Sequence, residues 1–398
     1  MSSQKLFRLV TVPLSFKHLI KGQPNHFASK GFKVKLFAAD GPERNDVENY
    51  EGVPYHVVDM TREITPVRDL NVLKNLIAIF KKEKPDIVHT QTPKAGLLGM
   101  MAARMAGIPK RIHTVGGLPI LEAEGIKKRI LNATEKMTSA CATQVLVNSH
   151  KLAEIMVEKS LCPANKLHVL GFGSSNGIDT EYFSPGQIPQ SKNELRAEWS
   201  IPPDGFVFVF IGRIVKDKGI NELAAAFEAL SGKHPHIYLL LVGPEERHLD
   251  PVKEETISML KNNPKVFMTG YQPDVRPYLK MSNVLVFPSY REGFPNVPLQ
   301  AGAFGLPAIV SDINGCNEII FQGKNGWIIP SKNETALRNA MEFAIENPEE
   351  VIAAGLRARP FIEKYFSQQF IWNEIEKVYR SPVTFSLEKP KVPDWDAL

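Results

Sequence analysis

Between the apolar run Val284–Phe287 and a helical pattern that ends near Gly305 lies Tyr290-Arg291-Glu292-Gly293-Phe294-Pro295-Asn296-Val297-Pro298-Leu299-Gln300. A strand, a glycine-containing loop and a helix start, in that order, form a ready anion site. The amides of a helix's first turn have no intrahelical acceptor, and the helix dipole is positive there. Asn296 is expected to cap this helix, with Pro298 in its first turn where an N–H is dispensable. Glu292, at the mouth of the loop, adds a carboxylate that accepts hydrogen bonds from hydroxyls. A hydroxyl acceptor beside phosphate-binding amides suits a sugar joined to a diphosphate.

A second constellation follows the apolar run Phe206–Ile211: Gly212-Arg213-Ile214-Val215-Lys216-Asp217-Lys218-Gly219. Arg213 and Lys218 are expected on the loop after a buried strand, where doubly wound sheets bind ligands. A guanidinium fork and an ammonium point charge together can hold a diphosphate without a metal ion.

The elements that must position these groups are legible as alternation. Strand candidates in the first half are 9–12, 34–38, 56–59, 87–90, 111–115, 145–148 and 167–170. Helix-period segments at 69–82, 95–106 and 129–140 lie between some of them. The second half repeats the pattern with strands at 207–211, 238–242, 266–269, 284–287, 308–311 and 327–329. Runs of Val, Ile and Leu without polar alternation indicate parallel sheets covered by helices on both faces. The predicted fold is therefore α/β, two doubly wound Rossmann-like domains facing each other across a cleft.

A Pro/Gly/Ser-rich break at 184–191 sets the expected boundaries: residues 1–185, residues 186–364, and a C-terminal helix and tail, 365–398, crossing back to the first domain. Pro360 is expected to bend or break a helical stretch running from 349 to about 379. The proline- and charge-rich end, 381–398, reads as a weakly ordered tail.

With 398 residues, 43% of them apolar, the chain can fill two cores. No apolar run reaches the length of a membrane span, and the N-terminus lacks a signal-peptide core. Three cysteines without metal spacing point to a reducing cytoplasm. The net charge of +5 hides an asymmetry, +8 over residues 1–185 and −3 over the remainder. Basic stretches such as Lys127-Lys128-Arg129 would draw the first domain to an anionic partner, including the inner face of a membrane. No nucleic-acid recognition motif accompanies that charge, so a nucleic-acid partner is not expected.

The Gly212-Arg213…Lys218-Gly219 pair and the Glu292–Asn296 loop resemble the donor site of the retaining glycosyltransferases of family 4, which have the GT-B fold. Supporting matches are Asn176-Gly177-Ile178-Asp179, Leu240-Leu241-Val242-Gly243, Gly270-Tyr271-Gln272-Pro273-Asp274-Val275 and Gly305-Leu306-Pro307-Ala308-Ile309-Val310-Ser311-Asp312. They cover roughly residues 170–330 in order; the first domain matches more loosely, at 84–89 and 111–115. The closest likeness is to bacterial enzymes that assemble surface polysaccharides.

The resemblance implies a nucleotide diphosphate sugar as donor substrate, UDP-linked and hexosyl, with no cofactor and no metal. Arg213 and Lys218 would hold the diphosphate and stabilise the departing nucleotide. Glu292 would bind donor-sugar hydroxyls, with Gly293, Phe294, Pro295, Asn296 and Val297 contributing backbone amides. The base would lie near Gly270–Gln272, including Tyr271, with Gly212 and Gly243 permitting close approach. The acceptor would be a glycan or a lipid-linked glycan.

Two departures from the family pattern stand out. Gln300 occupies the position of a second acid that would grip the ribose. Gly116, in Thr114-Val115-Gly116-Gly117, stands where many members carry a histidine facing the donor sugar. His113 is as consistent with a structural role as with a catalytic one. On the acceptor side, a loop at 12–18 is expected after the first strand, offering Ser15 and His18. Gly116, Gly117, Glu122 and Glu124 form a second candidate group, and the 90–94 loop a third. Asp394-Trp395-Asp396 imitates a metal-binding motif but falls in the tail, and the scattered histidines lack metal spacing. Two other readings stay open: a nucleotide-sugar epimerase or hydrolase on the same architecture, and a catalytically silent nucleotide-sugar-binding subunit.

Overall fold

The computed structural model describes residues 3–121, 123–246, 250–382, 393 and 395. The chain divides into two compact units: Met1–Gly177 with Gln369–Pro390, and Ile178–Gln368 with Lys391–Leu398. The expected divisions stood at 185/186 and 364/365. The structure divides at 177/178 and at 368/369.

The first unit is built on a seven-stranded parallel sheet: β1 (Lys5–Leu9), β2 (Lys33–Ala38), β3 (Tyr55–Val57), β4 (Ile87–Gln91), β5 (Lys110–Val115), β6 (Gln144–Val147) and β7 (Leu167–Val169). Its spatial order is β3-β2-β1-β4-β5-β6-β7. The second unit has six strands: β8 (Phe206–Ile211), β9 (Ile237–Val242), β10 (Val266–Gly270), β11 (Val284–Phe287), β12 (Ala308–Ser311) and β13 (Gly326–Ile329). They run β10-β9-β8-β11-β12-β13. Every residue of β4, β6, β8, β11 and β12 is buried, as two-sided helix cover requires. Each sheet reverses its strand order once, between β1 and β4 and between β8 and β11, and the loops leaving those strands open a crevice there.

Strand positions follow the apolar pattern to within a residue or two, except at the first. Strand β1 ends at Leu9, and the chain turns into the helix Pro13–Leu19, so the expected 12–18 loop is a helix. Pro360 does not break its helix either: Pro348–Phe366 runs through it, and the interruption comes at extended Ser367. The carbonyl that Pro360 leaves without a donor belongs to Leu356, an exposed residue that water can serve. Of the expected tail, most lies outside the described residues; Trp395, which is described, packs its ring on Phe361 at 4.8 Å between centroids.

The helix Gln368–Arg380 belongs to the first unit and is fastened there by buried polar bonds. Arg8, only 1% exposed, donates from Nη1 to Tyr379 Oη at 2.8 Å and also contacts His89 Nδ1. Burial and the neighbouring Arg8 charge push the His89 pKa well below its ordinary value, so the ring is neutral. Arginine can only donate, which makes Nδ1 the acceptor and leaves Nε2–H to donate to Thr114 Oγ1 at 2.7 Å. Lys110 Nζ caps the helix end, donating to the Val378 and Tyr379 carbonyls at 3.1 and 2.6 Å. Among the described residues no helix is long and apolar enough to cross a membrane.

Glu135, on the helix Gly125–Cys141, is buried, and desolvation raises its pKa to about 7. A carboxyl with a folded pKa above its unfolded value stabilises the fold while protonated. That contribution is complete below about pH 4.5 and is lost as pH rises through about 7, a penalty on the order of 3 kcal/mol at pH 8. Glu135→Gln should therefore raise the midpoint of thermal unfolding at pH 8 much more than at pH 5. An equal shift at both pH values would contradict this account.

Candidate active site

The loops leaving β8 and β11 meet at the reversal of the second sheet, and they carry Arg213, Lys218 and Glu292. Lys218 Nζ donates to Glu292 Oε1 at 2.6 Å, with both side chains largely buried. Ser289 Oγ, fully buried, lies 3.0 Å from the same oxygen. Glu292 Oε2 has no protein donor among the described residues, so it is available to a ligand hydroxyl. The ammonium has three N–H groups and spends one on Glu292.

The two loops are tied together beyond this pair. Asp217 accepts from the Tyr290 amide through its carbonyl at 2.8 Å and pairs with Arg291 at 3.1 Å. Gly219, at φ +72°, abuts the strand-end Pro288: a Cβ there would overlap the Pro288 carbonyl oxygen. Arg213, on the same β8 loop, is nearly half exposed. Its Nη1 donates to Glu246 Oε2 at 3.0 Å, leaving most of its fork free for a planar oxyanion.

The helix after Glu292 begins at Asn296, with Pro295 as N-cap and no side chain capping it. The expected Asn296 cap is thus corrected: Asn296 is the first helical residue, because Pro295 already holds the extended cap conformation. Pro295 and Pro298 have no N–H, so the amides available near the loop are those of Phe294, Asn296 and Val297 rather than of Pro295. The loop is braced from β12: Asn314 Nδ2 donates to the Gly293 carbonyl at 2.6 Å, and Gly315, at φ +79°, lets the chain press against Phe294 and Pro295. Cys316 is fully buried beside the pair, where burial and the Glu292 charge push its thiol pKa up.

Gly212 and Gly243 come into direct apposition, since a Cβ on Gly243 would overlap the Gly212 carbonyl. The Gly243 amide donates to the Gly270 carbonyl at 2.9 Å, and both glycines line an open pocket with Glu245, Lys261 and Met268. The side chain of Tyr271 is 74% exposed. Gln300 lies one turn into the Asn296–Ala303 helix, half-buried, its amide without a protein partner among the described residues.

The first-unit candidates do not converge in the same way. Ser15 is buried in the Pro13–Leu19 helix, whereas His18 is exposed at its last turn. His113 is structural: it is buried against Gly96, its Nδ1 is 2.8 Å from Thr90 Oγ1, and burial lowers its pKa to about 4. Lys94 is consumed by Asp69 at 2.8 Å. Gly116 is exposed and Gly117 partly so, and a Cβ on Gly116 would lie 3.4 Å from Asn148 Nδ2. Glu122 lies outside the described residues, and Glu124 is an exposed residue at a helix start.

Sequence reasoning passed over Ser289, Asn314 and Glu246 in the second unit. In the first it passed over Asn148, whose buried Oδ1 has no partner among the described residues, and over Thr11, whose Oγ1 meets Thr92 Oγ1 at 2.7 Å across the β1/β4 reversal. Their one available signal was position, polar residues shortly past the C-terminal ends of buried strands.

Two cations, a carboxylate oxygen without a protein donor among the described residues and uncapped helix amides at a sheet reversal suit an anionic, hydroxyl-bearing ligand. The family models resolve the class of protein. Residues 191–359 match the model of group 1 glycosyl transferases, and residues 23–173 match the glycosyl transferase 4-like domain. The chain is 36% identical over 381 residues to the capsular polysaccharide biosynthesis glycosyltransferase CapM of Staphylococcus aureus, covering 96% of this chain and 98% of that one. It is 28% identical, over 78% of this chain and 79% of the relative, to the Escherichia coli UDP-Gal:alpha-D-GlcNAc-diphosphoundecaprenol alpha-1,3-galactosyltransferase. A solved glycosyltransferase from Rickettsia africae has the same fold, with a TM-score of 0.78 at 18% identity, covering 96% of this chain and 98% of that one. This chain belongs to the family 4 glycosyltransferases of GT-B fold.

The loop apposition gives a direct structural prediction. Gly219→Ala would force a Cβ into the Pro288 carbonyl at a left-handed φ, costing more than about 2 kcal/mol through strain and displacing Lys218. Urea unfolding of the variant should show that loss, and stability equal to wild type would refute the close contact.

Proposed function

We propose that this protein transfers a hexosyl group, with retention of anomeric configuration, from a UDP-sugar to a lipid-diphosphate-linked glycan in the assembly of a surface polysaccharide. The observation that carries the reading is the Lys218–Glu292 pair at the β8/β11 reversal, its lysine on the same loop as Arg213. Arg213 and Lys218 bind the diphosphate and neutralise the charge that grows on it as the sugar–phosphate bond breaks. Because these cations and the amides of Phe294, Asn296 and Val297 supply the positive field, no divalent metal and no cofactor are needed.

Glu292 Oε2 accepts from donor-sugar hydroxyls while Oε1 stays tied to Lys218, which orients the anomeric carbon relative to the leaving phosphate. Gln300 serves the ribose as a neutral two-way hydrogen bonder, and the Gly243–Gly270 pocket receives the base against backbone. The acceptor hydroxyl then attacks the face from which UDP departs. The Escherichia coli relative's name, with its UDP-linked donor and undecaprenyl-diphosphate acceptor, supports the choice of donor and acceptor class. The Staphylococcus aureus relative's name supports the polysaccharide context.

Calorimetric titration of UDP should give at least a tenfold weaker Kd for Arg213→Ala and for Lys218→Ala, with an unfolding temperature close to wild type for the half-exposed Arg213 variant. Wild-type affinity in both would sink the site assignment. Transfer to a polyprenyl-diphosphate sugar, followed by mass spectrometry and NMR of the new linkage, should give a retained anomer and persist in EDTA. An isomerised donor without transfer would favour an epimerase instead.

A further inference from the structure

In the second unit the helix Ile220–Ser231 packs against the helix Glu334–Glu346, and three ligating side chains converge at their C-terminal ends. His234 Nε2 and one carboxylate oxygen each from Glu342 and Glu346 all lie within 4.8 Å of one another. Glu342 and Glu346 are one turn apart on a single helix face. The His234 ring is set by a closed turn, its amide donating to the Leu230 carbonyl at 2.8 Å. Linear spacing does not show this set, because only the packing of the two helices joins it. It stands just before β9, at the opposite end of the sheet from the loops that carry Arg213, Lys218 and Glu292.

An ion pair accounts for only part of the cluster. Lys233 Nζ contacts Glu342 Oε1 and lies 3.6 Å from Glu346 Oε1, but its side chain is 61% exposed and can swing into solvent at little cost. His234 Nε2 is buried and has no hydrogen-bond partner among the described residues, with Glu342 Oε1 standing 3.6 Å away. That separation is too long for a hydrogen bond. It is close to the edge, roughly 3.4 Å, of a tetrahedron whose metal–ligand bonds are about 2.1 Å. The two carboxylates also lie at the C-terminal end of their helix, where the backbone dipole is already negative and no basic residue of the last turn offsets it. A divalent cation held by all three groups pairs the orphaned nitrogen and offsets both charges.

We infer that His234, Glu342 and Glu346 form a binding site for a divalent transition-metal ion such as Zn²⁺, which displaces the Lys233 ammonium from between the glutamates. An imidazole nitrogen with two carboxylates suits zinc, whereas Mg²⁺ and Ca²⁺ favour oxygen-only sets. Three protein ligands leave a fourth position to water. The bound ion fastens the end of one helix to the end of the other and takes no part in donor chemistry, so the inference stands independently of the transferase reading.

Calorimetric titration of Zn²⁺ into the tag-free full chain, stripped with EDTA and dialysed, tests this, with thermal unfolding as a second readout. Wild type should bind one ion and unfold at a higher temperature with Zn²⁺ than without it, and Mg²⁺ should give no such rise. His234→Ala and Glu342→Gln should each weaken zinc binding by at least about tenfold. Lys233→Met should tighten it, because the competing ammonium is gone. All three variants should keep wild-type UDP affinity. Absence of zinc stabilisation in wild type would overturn the proposal, as would undiminished zinc binding by His234→Ala. Weaker binding by Lys233→Met would also overturn it, since the lysine would then support the cluster rather than compete for it.

Discussion

The candidate site depends on one ion pair held across a topological break. Strands β8 and β11 are neighbours in the sheet but distant in sequence, and their loops diverge into helices on opposite faces. At that point Lys218 and Glu292, 74 positions apart, close to 2.6 Å. Removing two charges from water is costly, and the pair is tolerable because Ser289 shares the load on Oε1 and both side chains keep some contact with solvent. The groups left unsatisfied by the protein are the ones a ligand would use.

The same logic extends to the rest of the site. Each cation rests on a carboxylate, Arg213 on Glu246 and Lys218 on Glu292, so the crevice is not a bare concentration of positive charge. A diphosphate need not expel Glu292 to reach Lys218, because an ammonium serves several acceptors at once. Around this centre the tolerances are steric. Gly212 against Gly243, Gly219 against Pro288 and Gly315 against Phe294 leave no room for a Cβ, and together they set how closely the loops approach.

The first unit uses buried polarity for a different end. Arg8, His89, Thr114 and Tyr379 form a chain of bonds through its interior, and Lys110 holds the last carbonyls of the returning C-terminal helix. These contacts make the final helix part of the N-terminal unit's core, although the whole second sheet intervenes in sequence. The Gly125–Cys141 helix buries Glu135, Thr138 and Ser139 alongside Cys141 and the half-buried Leu131 while Ile126, Ile130 and Met137 stay exposed, an arrangement that local stability alone does not favour.

Much was legible in the linear order. Apolar runs without alternation identify two parallel sheets, because strands buried on both faces cannot alternate. Arg213, Lys218 and Glu292 could be placed on the loops at the C-terminal ends of such strands, because those loops open into the crevice. Other features could not be read there. Asn296 is not a cap because Pro295 already occupies the cap geometry; Ser15 sits in a helix because β1 ends early; the C-terminal path breaks at Ser367 although Pro360 is the better breaker. Ser289, Asn314 and Asn148 carry no local signature. The residue types and the strand–loop–helix order were determined by the sequence itself, since propensity and burial pattern act over a few residues. Which charge pairs with which, which loops touch, and which face of the Gly125–Cys141 helix meets solvent were decided only by the tertiary structure, since those outcomes turn on groups tens to hundreds of positions apart.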